Sequence, residues 1–353
     1  MLDYTELGYK EWSLWLKSQG EKEFHAAQIM DWIYQKATLS WEEMSNLSKE
    51  LREKLAAHFR LPVLGGVRVT ESEDLETFKF LWRLTDSQLV ESVLICSGSR
   101  RTVCVSSQVG CPARCAFCAS GQKGFLRNLR ASEIVEQVLQ INQWLRTKGE
   151  KVSHVVFMGM GEPLKNYDPV VASIRLLSRP DLLNISQRRM TLSTVGVVEG
   201  IRRLSSEGLR VNLALSLHAP NQHIRKKIIP YARKYPLEEI LLAMDEYAQK
   251  TGRDITYEYA LLAGINDHPD HALELAHLLK KRQCTVNLIP YNPVPGLKLK
   301  RPDKKTIKQF RSVLYGANIV NTCRYTKGDD IAAACGQLAW QEEQTAPRLK
   351  VVM

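Results

Sequence analysis

Three cysteines at short spacing are the first candidates for chemistry in this sequence. Cys111, Cys115 and Cys118 form a C-x3-C-x2-C triplet, and three thiolates at that spacing can wrap one metal centre. Structural zinc sites take four ligands, so a zinc knuckle would use Cys104 as the fourth. Three cysteines can instead hold a [4Fe–4S] cluster whose fourth iron stays open to another ligand, with Phe117 as an aromatic shield. The triplet alone leaves both interpretations open.

The residues that follow the triplet must form elements that can position it. From about residue 100 to 325, apolar and β-branched runs predict strands at Thr102–Ser106, His154–Met158, Met190–Thr194, Val211–Leu217, Ile255–Leu261, Thr285–Ile289 and Ile319–Arg324. Amphipathic segments between them predict helices at Ala131–Arg146, Pro169–Leu177, Leu237–Gln249, Asp270–Lys281 and Lys304–Tyr315. This alternation predicts a parallel α/β architecture, and six or seven strands favour a partial barrel over a closed eight-stranded one. In front of such a barrel, the cluster interpretation of the triplet is favoured.

Polar motifs follow several of these predicted strands. The motifs are Cys111–Cys118, Gly159–Pro163, Ser193, Ser216–His218 and Asn292. Active sites of parallel α/β folds lie at the carboxyl ends of the strands. We therefore expect these motifs to share one mouth.

The first hundred residues carry other patterns. Glu21–Thr38 and Ser40–Phe59 hold apolar residues at three- and four-residue spacing, which predicts a helical module that either faces RNA or serves in packing. Val67–Val69, Phe78–Leu84 and Val90–Ile95 predict a β meander that leads into the barrel. The chain is accordingly divided into a helical accessory domain (1–62), a β-rich connector (63–99), a catalytic barrel (100–340) and a C-terminal tail (341–353).

Composition narrows the class of protein. The chain has 353 residues, with 49 Lys plus Arg against 38 Asp plus Glu, a formal net charge of +11 that suggests a polyanionic partner. No apolar run reaches the roughly 18 residues of a membrane-spanning helix. Asp3 and Glu6 lie near the start, where a secretory signal would be basic. Eight cysteines without an export signal do not indicate a disulfide scaffold. We expect a cytoplasmic protein.

The triplet resembles the signature of radical S-adenosylmethionine (SAM) enzymes. Further motifs resemble one particular family within this superfamily. They are Val105–Cys111, Phe157–Leu164, Leu192–Thr194, Ser216–Pro220, Asn287–Pro293 and Gly328–Leu338, together with Ala27–Tyr34 and Asn46–Leu55 in the helical start. In this order they resemble the RlmN/Cfr family of RNA methyltransferases, which act on an adenine ring carbon. The resemblance covers most of the chain.

The resemblance implies roles for residues at the mouth of the barrel. Cys111, Cys115 and Cys118 would ligate a [4Fe–4S] cluster, whose open iron chelates SAM. Residues implied to bind SAM are Gly161, Glu162, Ser193, Ser216, Leu217, His218 and Asn292. A backbone turn and a carboxylate suit the methionine ammonium, and hydroxyl, imidazole and amide groups suit the ribose, adenine and carboxylate.

The resemblance also implies a mechanism that uses two SAM molecules per turnover. The first methylates the thiolate of Cys335, and reductive cleavage of the second generates a radical that abstracts hydrogen from the S-methyl group. The carbon then adds to the adenine ring and leaves a protein–RNA thioether. Glu91 matches the base that removes the ring proton, and Cys104 matches the thiol that forms a transient disulfide with Cys335 to release the product. Cys96, Cys284 and Cys323 match no role and are assigned to packing.

The implied product is RNA methylated at C2 of adenosine 2503 in 23S rRNA and of adenosine 37 in tRNA. C8 methylation of the same rRNA adenosine and a non-catalytic zinc RNA-binding module are the alternatives. We further expect a monomer, an electron donor such as flavodoxin or ferredoxin, no membrane association, and a flipped target base. Basic residues expected to supply the RNA-facing surface are Arg100–Arg101, Arg127, Arg130, Arg188–Arg189, Arg225–Lys227, Arg233–Lys234, Lys280–Arg282, Lys298–Arg301 and Lys304–Lys308.

Overall fold

The computed structural model describes residues 2–4, 7–36, 38, 40–61, 64–323 and 327–338. The predicted tail at 341–353 lies outside these residues, as do positions 62 and 63 at the first predicted domain boundary. The division of the chain into domains stays a prediction.

The described residues form strands and helices in alternation. The strands are β1 (Leu2–Asp3), β2 (Phe59–Arg60), β3 (Gly65–Glu71), β4 (Thr77–Arg83), β5 (Leu89–Ser97), β6 (Arg100–Cys104), β7 (Gln108–Gly110), β8 (Phe125–Asn128), β9 (His154–Phe157), β10 (Met190–Thr194), β11 (Asn212–Ser216), β12 (Ile255–Leu261), β13 (Cys284–Pro290) and β14 (Asn321–Cys323). The α-helices are α1 (Tyr9–Ser18), α2 (His25–Met30), α3 (Lys49–His58), α4 (Ala119–Gln122), α5 (Ala131–Arg146), α6 (Tyr167–Ser178), α7 (Val198–Leu204), α8 (Gln222–Ile228), α9 (Leu237–Thr251), α10 (Pro269–Leu279) and α11 (Lys304–Gly316). In this part of the chain, no helix is both long and apolar enough to cross a membrane.

Ten strands form one sheet in the order β14-β13-β12-β11-β10-β9-β6-β5-β4-β3. The seven strands from β14 to β6 are parallel, whereas β3, β4, β5 and β6 pair antiparallel as a meander. Val156 on β9 and Thr322 on β14 line the same cavity of about 450 Å³, so the parallel part curls around a lumen. The curled sheet confirms the predicted partial barrel with a helical start and a small β extension.

The two faces of the parallel strands differ in polarity. Residues that face the lumen include Thr191, Thr256 and Asn287. Their neighbours along the same strands, such as Leu192 and Tyr257, are fully buried on the opposite face, because successive side chains of a strand alternate. The apolar face therefore forms the core with the surrounding helices, and the polar face lines the lumen.

The helical start differs in detail from the sequence expectation. Helix α1 was not predicted, and the predicted helix Glu21–Thr38 is α2 followed by one π-helical stretch at Asp31–Gln35. The predicted helix Ser40–Phe59 is broken, since only a short 3-10 turn precedes α3. The reason is local: the Ser48 hydroxyl accepts the Leu51 N–H at 3.1 Å and caps the start of α3.

A buried polar network joins the meander to the parallel sheet. Gln137 on α5 accepts the Ser106 N–H at 2.8 Å and the Ser92 hydroxyl at 2.6 Å, and its amide donates to the Ser106 carbonyl at 2.9 Å. The Ser106 hydroxyl donates to the Glu91 carbonyl at 2.6 Å and accepts the Met160 N–H at 2.9 Å. One side chain on α5 therefore sets the position of β5 relative to the loop after β9.

We predict that Gln137→Leu lowers the free energy of unfolding by about 3 kcal/mol. The substitution leaves the buried N–H and carbonyl of Ser106 without partners, and each unpaired group costs about 1–3 kcal/mol. The matched control is Gln140→Leu, one turn along α5, whose amide makes a single 3.3 Å bond to the Leu64 carbonyl. Urea unfolding of both variants measures the difference. Equal losses would contradict the role given to Gln137.

Candidate active site

The cysteine triplet lies on a loop that is fixed at several points by its backbone. It begins after β7, where the Cys111 N–H donates to the Gly124 carbonyl at 2.9 Å. The Ala116 N–H donates to the Ile228 carbonyl at 2.9 Å, and the Ala119 N–H donates to the Gly336 carbonyl at 2.7 Å. The loop is thereby tied to the end of α8 and to the segment that carries Cys335.

The three thiols of this loop lie in an apolar, low-dielectric setting. Burial raises the pKa of Cys111 to about 12 and raises the pKa values of Cys115 and Cys118, and repulsion from Cys118 adds to the rise at Cys111 and Cys115. Val195 and Ile228 pack in the same apolar cluster. Thiolates in such a setting require a cationic centre, so the donor set suits a metal group. Among the described residues, no three His, Cys, Asp or Glu side chains are grouped as for a single metal ion.

Gly161 belongs to a tight turn that follows β9. Its φ is +111°, and a Cβ at this position would lie 2.7 Å from both Gln108 Cβ and Ser107 Oγ. Only glycine combines this backbone conformation with this close approach. The turn is held against the segment after β6 because the Ser107 N–H donates to the Met160 carbonyl at 2.8 Å.

Glu162 is a buried carboxyl group at the strand ends. One of its oxygens accepts the Leu164 N–H at 3.0 Å and the Thr194 hydroxyl at 2.8 Å, and the other accepts the Val195 N–H at 2.8 Å. Burial raises the pKa of Glu162 to about 7, against the lowering effect of these hydrogen bonds. The carboxyl group therefore joins the ends of β9 and β10, while lone pairs remain for a further donor.

Ser193, Ser216, Leu217 and His218 lie at the ends of β10 and β11. The hydroxyl oxygens of Ser193 and Ser216 are 3.3 Å apart. The Leu217 N–H donates to the Glu258 carbonyl at 3.0 Å, which joins this turn to β12. Two hydroxyl groups at adjacent strand ends can bind the polar edges of a sugar or an amino acid.

His218 is a buried imidazole with an unusual backbone conformation. Its φ is +55°, and its Nδ1 accepts the Ala260 N–H at 2.8 Å. Burial lowers the pKa of His218 to about 3, so the ring is neutral at physiological pH and its Nε2–H is a donor. Its ring meets Phe117 edge-on, with 4.8 Å between centroids. Phe117, predicted to shield the cysteine loop, thus contacts a predicted SAM residue.

Cys335 lies on a segment, residues 327–338, that crosses from the meander to the cysteine loop; we call it the clasp. At one end, the Lys327 ammonium donates to the Cys96 carbonyl at 3.2 Å. At the other, Asn292 donates to the Cys335 carbonyl at 3.1 Å, and Gly336 binds Ala119. Cys335 is exposed, and its proximity contributes to the raised pKa of Cys118. The clasp therefore brings Cys335 to the cysteine loop.

Glu91 and Cys104 share one face of the sheet. Val93 on β5 is paired with Lys79 on β4 and with Cys104 on β6, so these three side chains lie on one face of the sheet. Glu91 lies two residues before Val93 on β5 and therefore lies on the same face. Lys79 Nζ lies 3.3 Å from Glu91 Oε1 and donates to the Ala332 carbonyl in the clasp at 3.3 Å. Lys79 thus links the predicted base to the segment that carries Cys335.

The carboxyl group of Glu91 is available on one side. It is 4% exposed, and within the described part of the chain its buried Oε2 has no hydrogen-bond partner. Burial raises the pKa of Glu91, and the charge of Lys79 opposes this rise. A buried carboxyl group with a raised pKa and a free oxygen can act as a general base near neutral pH.

In the described part of the chain, the cysteines outside the loop form no disulfide. Cys104 and Cys335 are not joined to each other, and Cys96, Cys284 and Cys323 are partly buried single thiols on strands. The predicted transient disulfide is therefore not present in this state of the protein.

One predicted RNA-facing residue is wrongly assigned. Arg225 is fully buried, and its guanidinium donates to the carbonyls of Val195 at 2.6 Å and of Ser216 at 3.2 Å. Helical spacing could have revealed this, because Arg225 lies between Ile224 and Ile228 on the apolar face of α8. Other predicted surface cations are paired with acids, namely Arg101 with Glu150, Arg127 with Glu133, Arg282 with Asp245 and Arg301 with Asp329.

Sequence patterns also missed Lys79. It lies in the run Thr77-Phe-Lys-Phe-Leu-Trp, in which its neighbours on both faces of the strand are buried and Lys79 itself is partly buried. A lysine among buried aromatic residues indicates an anionic partner, but strand register was needed to identify Glu91 as that partner.

We predict that Gly161→Ala destabilises the protein well beyond the cost of its positive φ. The new Cβ would clash with Gln108 and Ser107, and positive φ alone costs about 1–2 kcal/mol. Gly208→Ala is the matched control, because Gly208 also has positive φ (+69°) but no heavy atom lies within 4 Å of the position that its new methyl group would take. Chemical denaturation measures both. Similar losses in the two variants would contradict the close-approach argument.

Comparisons with known proteins indicate the family of this chain. The family model "Ribosomal RNA large subunit methyltransferase N-terminal domain" matches residues 2–61, and the radical SAM superfamily model matches residues 105–276. A protein of Protochlamydia amoebophila named probable dual-specificity RNA methyltransferase RlmN 2 is 78% identical over 97% of this chain and 96% of its own length. A similarly named RlmN of Lachnoclostridium phytofermentans is 47% identical over 96% of this chain and 94% of its own.

A solved structure leads to the same family. The crystal structure of a radical SAM methyltransferase from Sphaerobacter thermophilus superimposes with a TM-score of 0.93 at 41% identity, and the match covers 96% of this chain and 99% of that one. The relatives match along nearly their whole length, from the helical start to the clasp. The chain therefore belongs to the RlmN family of radical SAM methyltransferases.

Proposed function

We propose that this protein methylates C2 of adenine in RNA, at adenosine 2503 of 23S rRNA and adenosine 37 of tRNA. The observation that carries the proposal is the contact of the clasp with the cysteine loop, because the Gly336 carbonyl accepts the Ala119 N–H next to Cys335. Lys79 supports it from the other side by joining the clasp to Glu91. A thiol that carries a carbon and a base that removes a ring proton are the two protein groups that such a reaction needs.

The cofactors that the family implies, a [4Fe–4S] cluster and SAM, fit the residues present. Cys111, Cys115 and Cys118 would hold the cluster, since buried thiols of raised pKa become thiolates when they bind a metal group. The turn at Gly161–Glu162 and the hydroxyl groups of Ser193 and Ser216 would bind SAM, together with Leu217, His218 and Asn292. When bound, the cluster supplies the electron for reductive cleavage of SAM.

Three side chains would act on the RNA. Cys335 would accept a methyl group on Sγ and, after carbon–carbon bond formation, hold the RNA through a thioether. Glu91 would take the ring proton on its free Oε2. The Cys104 thiolate would then attack Cys335 Sγ, so that the sulfur–carbon bond breaks, the released carbon takes up a proton, and a disulfide forms. An external thiol reductant would restore both cysteines.

Two alternatives to C2 methylation are C8 methylation of the same adenosine and a non-catalytic zinc RNA-binding module. C8 methylation uses the same protein groups. We favour C2 because the sequences Gly161–Pro163, His218–Pro220 and Tyr325–Asp330 resemble those of the C2 enzymes. A zinc RNA-binding module would leave the arrangement of Glu91, Lys79 and the clasp without a purpose. Iron–sulfur protein is brown and zinc protein is colourless, so the colour of the purified protein distinguishes the two classes.

Partners follow from the same chemistry. We propose that the protein acts as a monomer in the cytoplasm, that flavodoxin or ferredoxin donates the electron, and that the target base is flipped into the mouth of the barrel. The net charge of +11 would give affinity for phosphate groups that falls with salt.

We predict that Cys335→Ala abolishes methylation and that Cys104→Ala accumulates a covalent protein–RNA adduct. Without Cys335 no sulfur carries the carbon, and without Cys104 no thiol resolves the thioether. Cys96→Ala, which changes a cysteine on the neighbouring strand β5, should retain activity. Cluster-reconstituted protein is incubated anaerobically with SAM, reductant and an rRNA fragment, and the products are analysed by denaturing gels and nucleoside mass spectrometry.

The outcomes of this experiment decide the proposal. A 2-methyladenosine product supports it, whereas 8-methyladenosine would assign the alternative ring position. Methylation by the Cys335→Ala variant would refute the route through a cysteine.

We predict that Lys79→Met shifts the acidic limb of the activity profile to higher pH. Glu91 must be ionised to act as a base, so activity rises as pH rises through its pKa. Its pKa is already raised by burial, and Lys79 lowers it, so removing the lysine raises it further. Lys250→Met, on the outer helix α9, should leave the limb unchanged. The initial rate of methylation is measured from pH 5 to 10, with cluster content confirmed for each variant. An unshifted limb in Lys79→Met would argue against Glu91 as the base.

A further inference from the structure

Arg225 is a fully buried cation on α8 with an incomplete set of partners. Its Nε donates to the Leu217 carbonyl at 3.2 Å, and its Nη2 donates to the carbonyls of Val195 and Ser216 at 2.6 and 3.2 Å. Its Nη1 is buried and has no hydrogen-bond partner among the residues that the structure describes. Buried N–H groups are nearly always bonded, so an N–H group left open here indicates a ligand.

The charge of Arg225 is also uncompensated. All three partners are neutral carbonyl groups, and among the described residues no carboxylate lies within ion-pair distance of its guanidinium. Burial lowers the pKa of Arg225 to about 10, so the group remains protonated at neutral pH. A buried, unpaired cation is strongly unfavourable unless an anion binds beside it.

The cysteine loop is the neighbour that could supply the anion. Cys115 interacts electrostatically with Arg225, and the loop is bonded to the end of the same helix, where Ala116 N–H donates to the Ile228 carbonyl at 2.9 Å. Ile224 and Ile228, on either side of Arg225, pack in one apolar cluster with Cys111 and Cys115. The guanidinium and the thiols thus share one dry environment.

We propose that Arg225 is a positioning residue for the iron–sulfur cluster, whose open Nη1–H donates to the thiolate–cluster assembly at Cys115 and whose charge compensates that assembly. This inference rests on the cluster assigned under the proposed function, but it does not depend on which RNA carbon is methylated. It replaces the RNA-binding role expected from the sequence.

The proposal has a redox consequence. Reduction adds one negative charge to the cluster, and a nearby buried cation stabilises the reduced form more than the oxidised form. Hydrogen bonds to sulfur and local charge are the main protein controls on such potentials. Arg225 therefore raises the midpoint potential and eases the electron transfer on which the chemistry depends.

The first test removes the charge. Wild type, Arg225→Gln, Arg225→Lys and the control Lys226→Gln are reconstituted anaerobically without SAM, and the midpoint potential is measured by EPR-monitored titration. We expect a tenfold loss in the reduction equilibrium of Arg225→Gln, which is about 59 mV towards negative potential for one electron. Arg225→Lys should shift less, because it keeps the charge, and the exposed Lys226 should contribute nothing. A wild-type potential in folded Arg225→Gln would overturn the proposal.

The second test does not require the glutamine variant to fold. Wild-type protein is labelled with 15N in its arginine guanidinium groups, the cluster is reduced without SAM, and pulsed EPR measures 15N hyperfine coupling. We expect a coupling that is absent from Arg225→Lys. No coupling in the wild type, or a coupling that appears only after SAM is added, would overturn the assignment, and the latter would identify the methionine carboxylate as the anion. Neither test measures RNA methylation, so failure of the proposed ring position leaves both results interpretable.

Discussion

The hydrogen bonds around Ser106 are the constraint on which the site depends. Ser106 follows β6, a strand that pairs antiparallel with the meander on one side and parallel with the barrel on the other. Its hydroxyl joins the Glu91 carbonyl to the Met160 N–H, and Gln137 fixes both backbone groups of Ser106. The strand that carries Glu91 and the turn that carries Gly161 are therefore held in a fixed position relative to each other. Because these groups are buried, each bond is replaced by an unpaired polar group if it breaks, which makes the arrangement stiff.

The buried charged groups at the strand ends of the barrel differ in how fully the protein supplies their hydrogen-bond and ion-pair partners. Glu162 is satisfied by three protein donors, and Glu91 has Lys79 on one oxygen and nothing on the other. Among the described residues Arg225 donates only to carbonyl groups, and it interacts electrostatically with Cys115 of the cysteine loop, whose pKa is raised by burial. A buried polar or charged group without a partner destabilises the protein when no ligand is bound, and a ligand that binds beside it can supply the partner. Such groups are therefore concentrated in functional sites.

The clasp illustrates how distant parts of the chain meet. Its bonds to Lys79, Asn292 and Ala119 come from the meander, the end of β13 and the cysteine loop. The clasp thus connects the part of the site on β4, β5 and β6 with the cysteine loop. An exposed cysteine on such a segment can approach a large substrate while its backbone remains anchored. This combination suits the role proposed above for Cys335.

Local sequence patterns were sufficient to predict much of the fold and the cysteine site of this protein. Strand–helix alternation predicted the parallel sheet and most of its elements, and the spacing of Cys111, Cys115 and Cys118 indicated a metal group, because periodicity and ligand spacing are local properties. The helical start was less predictable, since the cap at Ser48 competes with helical spacing between residues 40 and 59.

Only the tertiary structure decided the partners of side chains. It moved Arg225 from the surface to the core, paired Lys79 with Glu91, and brought the Cys335 segment to the cysteine loop. These contacts join residues far apart in the chain, and whether a charged side chain is solvated or buried depends on what packs against it, which no local pattern records.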